Sequence, residues 1–195
     1  TKVRAEKVRA AAERCGRIVK SFLSMVRLHP AAQTETDLNQ VIRAALEVTA
    51  YGARSSGIII DTDFAPGPLL AMADADHVTQ VAANFLINSQ HALAGIAGDR
   101  LIKVRTFRTD RGNPGFSVED NGPGIPEAIR NRIFESYFTT KPVGVGTGIG
   151  LSISKSIIER HNGNVWFEEV MRRGARFVVH LPAISTGIAA AGETQ

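Results

Sequence analysis

Apolar residues recur from Val78 to Ile96 at the spacing that buries one face of a helix: Val78, Val81, Ala82, Phe85, Leu86, Ala92, Leu93 and Ile96. A second stripe on the same segment is polar. Gln80, Asn84 and Asn88 lie four apart and His91 follows three later, so all four project from one side of the cylinder. Amides aligned beside a buried face need partners or they cost stability, and an asparagine oxygen suits a hard cation such as magnesium. Asp74 is placed to cap this helix, and Gly95 and Gly98 close it.

The same pattern divides the rest of the chain. In residues 3–28, Val8, Ala11, Ala12, Cys15, Ile18, Val19, Phe22, Met25 and Val26 step by three and four, which predicts a long helix with a narrow seam. One helix cannot bury such a seam, so it calls for a partner helix or a second chain. His29-Pro30 ends it. Residues 31–37 read as a polar linker. Thr36 or Asp37 would then cap a helix through Leu38, Val41, Ile42, Ala45, Leu46 and Val48. Strands are predicted at Gly57 to Asp63, Leu69 to Ala73, Leu101 to Arg108 and Phe116 to Asp120, the last two as a hairpin. A short helix near Glu127 to Ile133 follows. A glycine-rich run then feeds a helix through Leu151, Ile153, Ile157 and Ile158, ended by Asn162-Gly163. Val165 to Val170 and Ala175 to Leu181 make a final hairpin, and residues 184–195 read as a disordered tail. The fold class is α/β (α+β): a two-layer α/β sandwich with a mixed sheet of about five or six strands and three helices, preceded by the long helix.

Composition adds limits. With 44% hydrophobic and 22% charged residues the chain has the make-up of a soluble globular protein. No apolar run approaches the roughly 20 residues of a bilayer-spanning helix. The single cysteine, Cys15, excludes an intramolecular disulfide and a cysteine zinc site, and a reducing, cytoplasmic setting is expected. The start at Thr1, without a secretory signal, reads as that of an excised fragment. The net charge of +4 is uneven, because residues 1–30 hold an excess of Lys and Arg. Those residues are scattered around the predicted helix without interleaved aromatics, so nucleic acid is not an expected partner.

Three stretches carry chemistry. In the first, Asp120-Asn121-Gly122-Pro123-Gly124, the acid has the parity of Phe116 and Val118 and so falls on the apolar side of its strand. A carboxylate there must find donors. An adenine amino group is one, and Gly122 and Gly124 let a flat base approach the backbone; an ordinary Asp-Asn-Gly turn is the other reading. The second stretch is Gly144-Val145-Gly146-Thr147-Gly148-Ile149-Gly150-Leu151. Alternate glycines before a helix offer free N–H groups and the positive end of a helix dipole, which bind phosphate. It is not a P-loop, since no Gly-Lys occurs, nor a dinucleotide fingerprint, whose glycine steps are missing. The third, Ile133 to Lys141, sets three aromatics beside Thr139-Thr140-Lys141, a ring-anchored loop whose lysine can reach a phosphate.

Taken in order, Asn84-x-x-x-Asn88, Asp120-x-Gly-x-Gly, Phe134 through Lys141 and Gly144 to Leu151 resemble the ATP-binding domain of sensor histidine kinases. That domain shares its superfamily, and its Bergerat-type fold, with type II topoisomerase, mismatch-repair and heat-shock chaperone ATPases. The resemblance covers about residues 36–182, and the N-terminal helix resembles the second helix of the family's dimerisation and phosphoacceptor hairpin. The resemblance implies a domain plan: residues 1–30 as that partial hairpin, 31–37 as linker, 38–183 as the catalytic domain.

The resemblance also implies roles. Asp120 would accept from the adenine amino group, with Gly122, Gly124 and Ile125 beside the base. Asn88 would hold Mg2+ bridging the phosphates of ATP, and Asn84 would lie near the γ-phosphate. His91 sits where relatives have a phosphate contact. A lid over the nucleotide would carry Phe134, Thr139, Thr140 and Lys141, the lysine facing phosphate. Gly144, Gly146, Thr147, Gly148, Ile149, Gly150 and Leu151 would wrap the phosphates. The implied partners are a response-regulator receiver domain and a second copy of the parent chain, joined through the N-terminal helices. Two features depart from the pattern. None of His29, His77, His91, His161 or His180 has the acceptor's following acid, so ATP binding without self-phosphorylation is expected. Asn84 stands where the superfamily's hydrolases carry a glutamate base, and an amide cannot take that proton. A serine kinase or ATPase of the same superfamily, and a non-catalytic nucleotide-binding dimerisation module, remain the alternatives.

Overall fold

In the computed structural model the described residues are 33–141, 146–170 and 173–184. The predicted N-terminal helix, Gly144 and the tail beyond residue 184 lie outside them.

The first element corrects the sequence reading. Part of the segment taken as a linker is a strand, β1 (Thr34–Asp37), paired antiparallel with β3 (Leu70–Ala73). Its polar letters conceal tertiary bonds. Thr36 is buried and donates through Oγ1 to the carbonyl of Ala73 at 2.9 Å. Asp37 accepts from the N–H of Asn39 at 3.0 Å and of Leu69 at 2.9 Å. One carboxylate thus caps helix α1 (Leu38–Ser55) and ties its start to the approach to β3. Helix α1 buries Leu38, Val41, Ile42, Ala45 and Ala53, an amphipathic spacing.

The main sheet has five strands in the order β2-β4-β5-β7-β6. Strands β2 (Ile59–Asp63) and β4 (Leu101–Arg108) are parallel neighbours. β5 (Pro114–Asp120), β7 (Ala175–His180) and β6 (Asn164–Glu169) add antiparallel pairs. The predicted mixed sheet and three helices are present. The correction is that β3 leaves the main sheet to pair with β1, because residues 34–37 offer it an edge.

Helix α2 (Ala75–Leu93) is the centre of the helical layer, packed against α1, against α3 (Gly150–Arg160) and on β5. It starts three residues earlier than its apolar pattern, because Asp74 accepts from the N–H of His77 at 3.0 Å. Phe85 is fully buried and stacks on Phe177 at 5.0 Å, with Phe116 at 6.3 Å. Inward residues Ile102, Val104, Phe116, Val118 and Val179 complete this layer. His161 has a structural role at the end of α3. It is 1% exposed; Nε2 accepts from the N–H of Asp74 at 3.0 Å, so Nδ1, 2.8 Å from the carbonyl of Ile157, is the donor.

Candidate functional site

Helix α2 gathers all three chemistry-bearing stretches. Asn84, Asn88 and His91 share one side of it, as their spacing requires, and each meets a group from elsewhere in the chain.

The acid comes from the last residue of β5. Asp120 is 3% exposed, inside the apolar layer, where strand parity placed it. Its carboxylate accepts from the Ser89 hydroxyl at 3.0 Å and from the Gly122 N–H at 2.9 Å. Burial pushes its pKa above the ordinary carboxylate value. The Gly122, Ser89 and Ala175 hydrogen bonds oppose that shift, while neighbouring Glu119 adds to it. Gly174 presses its backbone on the same spot with φ of 131°, and a Cβ there would collide with the carbonyl oxygen of Asp120. Gly174, just before β7, is therefore packed on the main chain of Asp120.

Beside Ser89 on the same turn of α2, Lys141 crosses from the loop after a short 3-10 turn (Glu127–Arg132) to the helix. Its Nζ donates to Asn88 Oδ1 at 3.2 Å and lies 2.9 Å from His91 Nδ1. An ammonium only donates, so Nδ1 is the acceptor and His91 is neutral in this contact. Partial burial of the ring and then the Lys141 charge hold the His91 pKa down, although the residue as a whole is exposed. Burial lowers the pKa of Lys141 as well. Asn88 Oδ1 therefore already faces a cation. That is the donor type magnesium takes, and magnesium keeps waters and substrate phosphates for its other positions.

Asn84 joins α2 to the glycine-rich segment. Its Nδ2 lies 3.3 Å from the Gly150 carbonyl and 3.2 Å from Ser154 Oγ. Buried Ser154 in turn donates to the Gly150 carbonyl at 2.9 Å. The amide expected near a γ-phosphate thus also holds the first turn of α3, leaving its oxygen uncommitted among the bonds of the described residues.

The remaining predicted residues fall around these contacts. Gly148, with φ of 66°, packs so tightly that a Cβ would lie 2.5 Å from the Tyr137 carbonyl carbon. Gly146 lies against Thr139 and Lys141, so the glycine run and the lysine loop form one wall. Thr139 Oγ1 accepts from the N–H of Lys141 at 3.1 Å, and Thr147 Oγ1 from Ile149 at 3.4 Å. Phe134 sits edge-on to Phe177 at 6.3 Å, and Ile125 and Leu151 also pack on the core, so these three anchor the wall from inside. Thr140 is exposed. Sequence reasoning missed Ser89, Ser154 and Gly174. Ser89 alone left a signal: a polar residue four after Phe85 and four before Leu93, inside the apolar stripe.

Comparison with known proteins gives the family and the fold. Residues 73–185 match the family described as histidine kinase-, DNA gyrase B-, and HSP90-like ATPase. The sensor histidine kinase ZraS of Klebsiella oxytoca is 33% identical over 171 residues, 88% of this chain and 36% of that protein. The chain thus spans about a third of that relative's length. Among solved structures, a nucleotide-free catalytic domain of histidine kinase ThkA is 32% identical with a TM-score of 0.66, covering 76% of this chain and 96% of that one. ThkA in complex with the response regulator TrrA is 28% identical with a TM-score of 0.71, covering 88% of this chain and 48% of that one.

Proposed function

We propose that this chain, which belongs to the histidine kinase-, DNA gyrase B- and HSP90-like ATPase family and carries a histidine kinase catalytic domain, binds ATP along helix α2 for transfer of the γ-phosphate to a histidine. From there the phosphoryl group passes to an aspartate of a response-regulator receiver domain. The observation that carries this is the convergence on α2: Asp120 is held at Ser89, and Lys141 at the adjacent Asn88.

The residues divide the work. Asp120 accepts the amino hydrogen of adenine. Asn88 Oδ1 would hold magnesium, which would supply positive charge against the phosphates. Lys141 and His91 face the phosphates, and Asn84 fixes the start of α3, where Gly148 to Gly150 present the positive end of the helix dipole. The attacking imidazole nitrogen forms a bond to the γ-phosphorus as the bond to the bridging oxygen breaks, leaving ADP. For such a step the protein mainly aligns groups and stabilises charge. An amide at Asn84 does not serve as a base toward water, which favours transfer over hydrolysis. The acceptor histidine and the dimer contact are assigned to segments other than the described residues.

The test is calorimetric titration of ATP with and without magnesium, alongside phosphotransfer to a supplied histidine-bearing hairpin. Asp120→Ala is expected to lose measurable ATP binding. Asn88→Ala is expected to lose the magnesium dependence and to cost about tenfold or more in affinity. Unchanged ATP affinity in both variants refutes the assignment. Steady ATP turnover without any histidine acceptor transfers it to the hydrolytic branch of the family.

A further inference from the structure

The buried serine beside the metal amide has no part in the roles above, and its environment is specific. Ser89 is 1% exposed and lies between Phe85 and Leu93 on the apolar face of α2. A hydroxyl there costs stability unless it is paired, and alanine would fill the same place in the helix without that cost. Its one proton is spent on Asp120 Oδ2 at 3.0 Å, while Asp120 Oδ1 takes the Gly122 N–H at 2.9 Å. The terminal torsion of an aspartate is broad by itself. A separate donor on each oxygen locks it, and the lone pairs left over then point in a set direction.

We infer that Ser89 is a positioning residue for base selection: its hydroxyl aims the Asp120 carboxylate so that the acid accepts from the 6-amino group of a purine. The inference rests on the reading of Asp120 as the adenine acceptor. Ser89 needs no contact with the nucleotide. It acts through the acid, and it sits one residue after Asn88, so a single turn of α2 sets both ends of the nucleotide in register.

The hydroxyl also favours the charged form of the acid. Facing Asp120 are the Ser89 hydroxyl from α2, the Gly122 N–H from the following loop, the Ala175 N–H from β7 and the Glu119 carboxylate on its own strand. Three of these stabilise or tolerate the negative charge, and Glu119 with burial opposes it. Removing the hydroxyl deletes a stabilising donor. The protonated acid would then persist to higher pH, and its O–H cannot accept from an amino group.

The experiment uses the full chain as wild type, Ser89→Ala, Ser89→Thr and Asp120→Ala, each checked for an unchanged melting temperature. Magnesium-dependent binding of ATP and of inosine triphosphate, which lacks the 6-amino group, is measured from acid to neutral pH. Ser89→Ala is expected to weaken ATP about tenfold while moving inosine triphosphate by less than about twofold. The acid limb of ATP binding is expected to move toward neutrality, and Ser89→Thr, which keeps the hydroxyl, to restore selectivity. Equal loss for both nucleotides would make Ser89 a packing residue and overturn the inference. So would unchanged ATP affinity in Ser89→Ala when Asp120→Ala has lost it, an outcome that leaves the adenine reading standing. ATP binding retained by Asp120→Ala overturns both.

Discussion

The two ends of the proposed site, one for the base and one for the phosphates, are built in opposite ways on one helix. At the base end, Asp120 is buried, and its donors come from the interior of the fold: the Ser89 hydroxyl on α2 and the Gly122 backbone. At the phosphate end, the groups that meet Asn88 and His91 sit on a long side chain reaching over from a surface loop. The base end is preorganised and carries a desolvation cost that the fold sustains. The phosphate end is assembled by a lysine that lies partly in water. Under the proposed function, a fixed acid beside a movable lysine would suit an enzyme that holds one nucleotide while its γ-phosphate changes owner.

Four substitutions separate the ends, the largest effect first. Gly174→Ala puts a Cβ against the Asp120 carbonyl oxygen at a φ of 131°. It is expected to cost about 3 kcal/mol in denaturant unfolding and to abolish ATP binding, because the start of β7 is pushed off the main chain that carries Asp120. Asp120→Asn keeps the size but turns one acceptor oxygen into an NH2 donor: the amide oxygen can still take the Gly122 N–H, while the Ser89 hydroxyl must turn to accept. We expect at least about tenfold weaker ATP binding together with an unfolding free energy equal to or above wild type at neutral pH.

The sign follows from the raised pKa of Asp120. Between the unfolded value of 3.8 and the raised folded value the native state binds more protons than the unfolded state, so stability falls as pH rises through that window. The ionised, buried acid carries its full cost above the window. The advantage of Asp120→Asn should therefore be greatest at neutral pH and shrink as pH falls toward the unfolded value. A constant difference between the two proteins across unfolding curves at several pH values would contradict it.

Gly148→Ala strains only the phosphate wall, where the Cβ would lie 2.5 Å from the Tyr137 carbonyl carbon. It is expected to cost about 1–3 kcal/mol locally and to weaken ATP while leaving adenosine binding unchanged. Equal weakening of both ligands would show that the ends are not separable. The smallest effect belongs to Lys141→Ala. Melting should shift little, since partly exposed lysines contribute within about 0.5 kcal/mol. ATP affinity should fall by a few-fold, and more at low salt, because the contact is one of charge.

Much of this was legible in one dimension. The period of three and four placed α2, and the spacing of Asn84, Asn88 and His91 put them on one side without any tertiary information. Alternation through Phe116, Val118 and Asp120 marked the acid as inward-facing, and it is buried. The misses have a common cause. Thr34 to Asp37 reads as a linker because its partners, Ala73 and Leu69, are more than thirty residues away along the chain. Ser154 and Gly174 leave no mark in the sequence, and Ser89 only a polar letter in an apolar stripe, because each matters through a residue contributed by another element.

What the residues determined alone, then, was local: which segments are helix or strand, which side of each is apolar, and where a carboxylate, an amide pair and a run of glycines lie along the backbone. Periodicity and turn chemistry act over a few residues and need no distant partner. The tertiary structure alone decided that Ser89 meets Asp120, that Lys141 meets Asn88, and that Asn84 grips the first turn of α3. Those pairings join residues up to seventy positions apart. They follow from strand order and helix packing, so the shape of the site exists only once the layers have closed on one another.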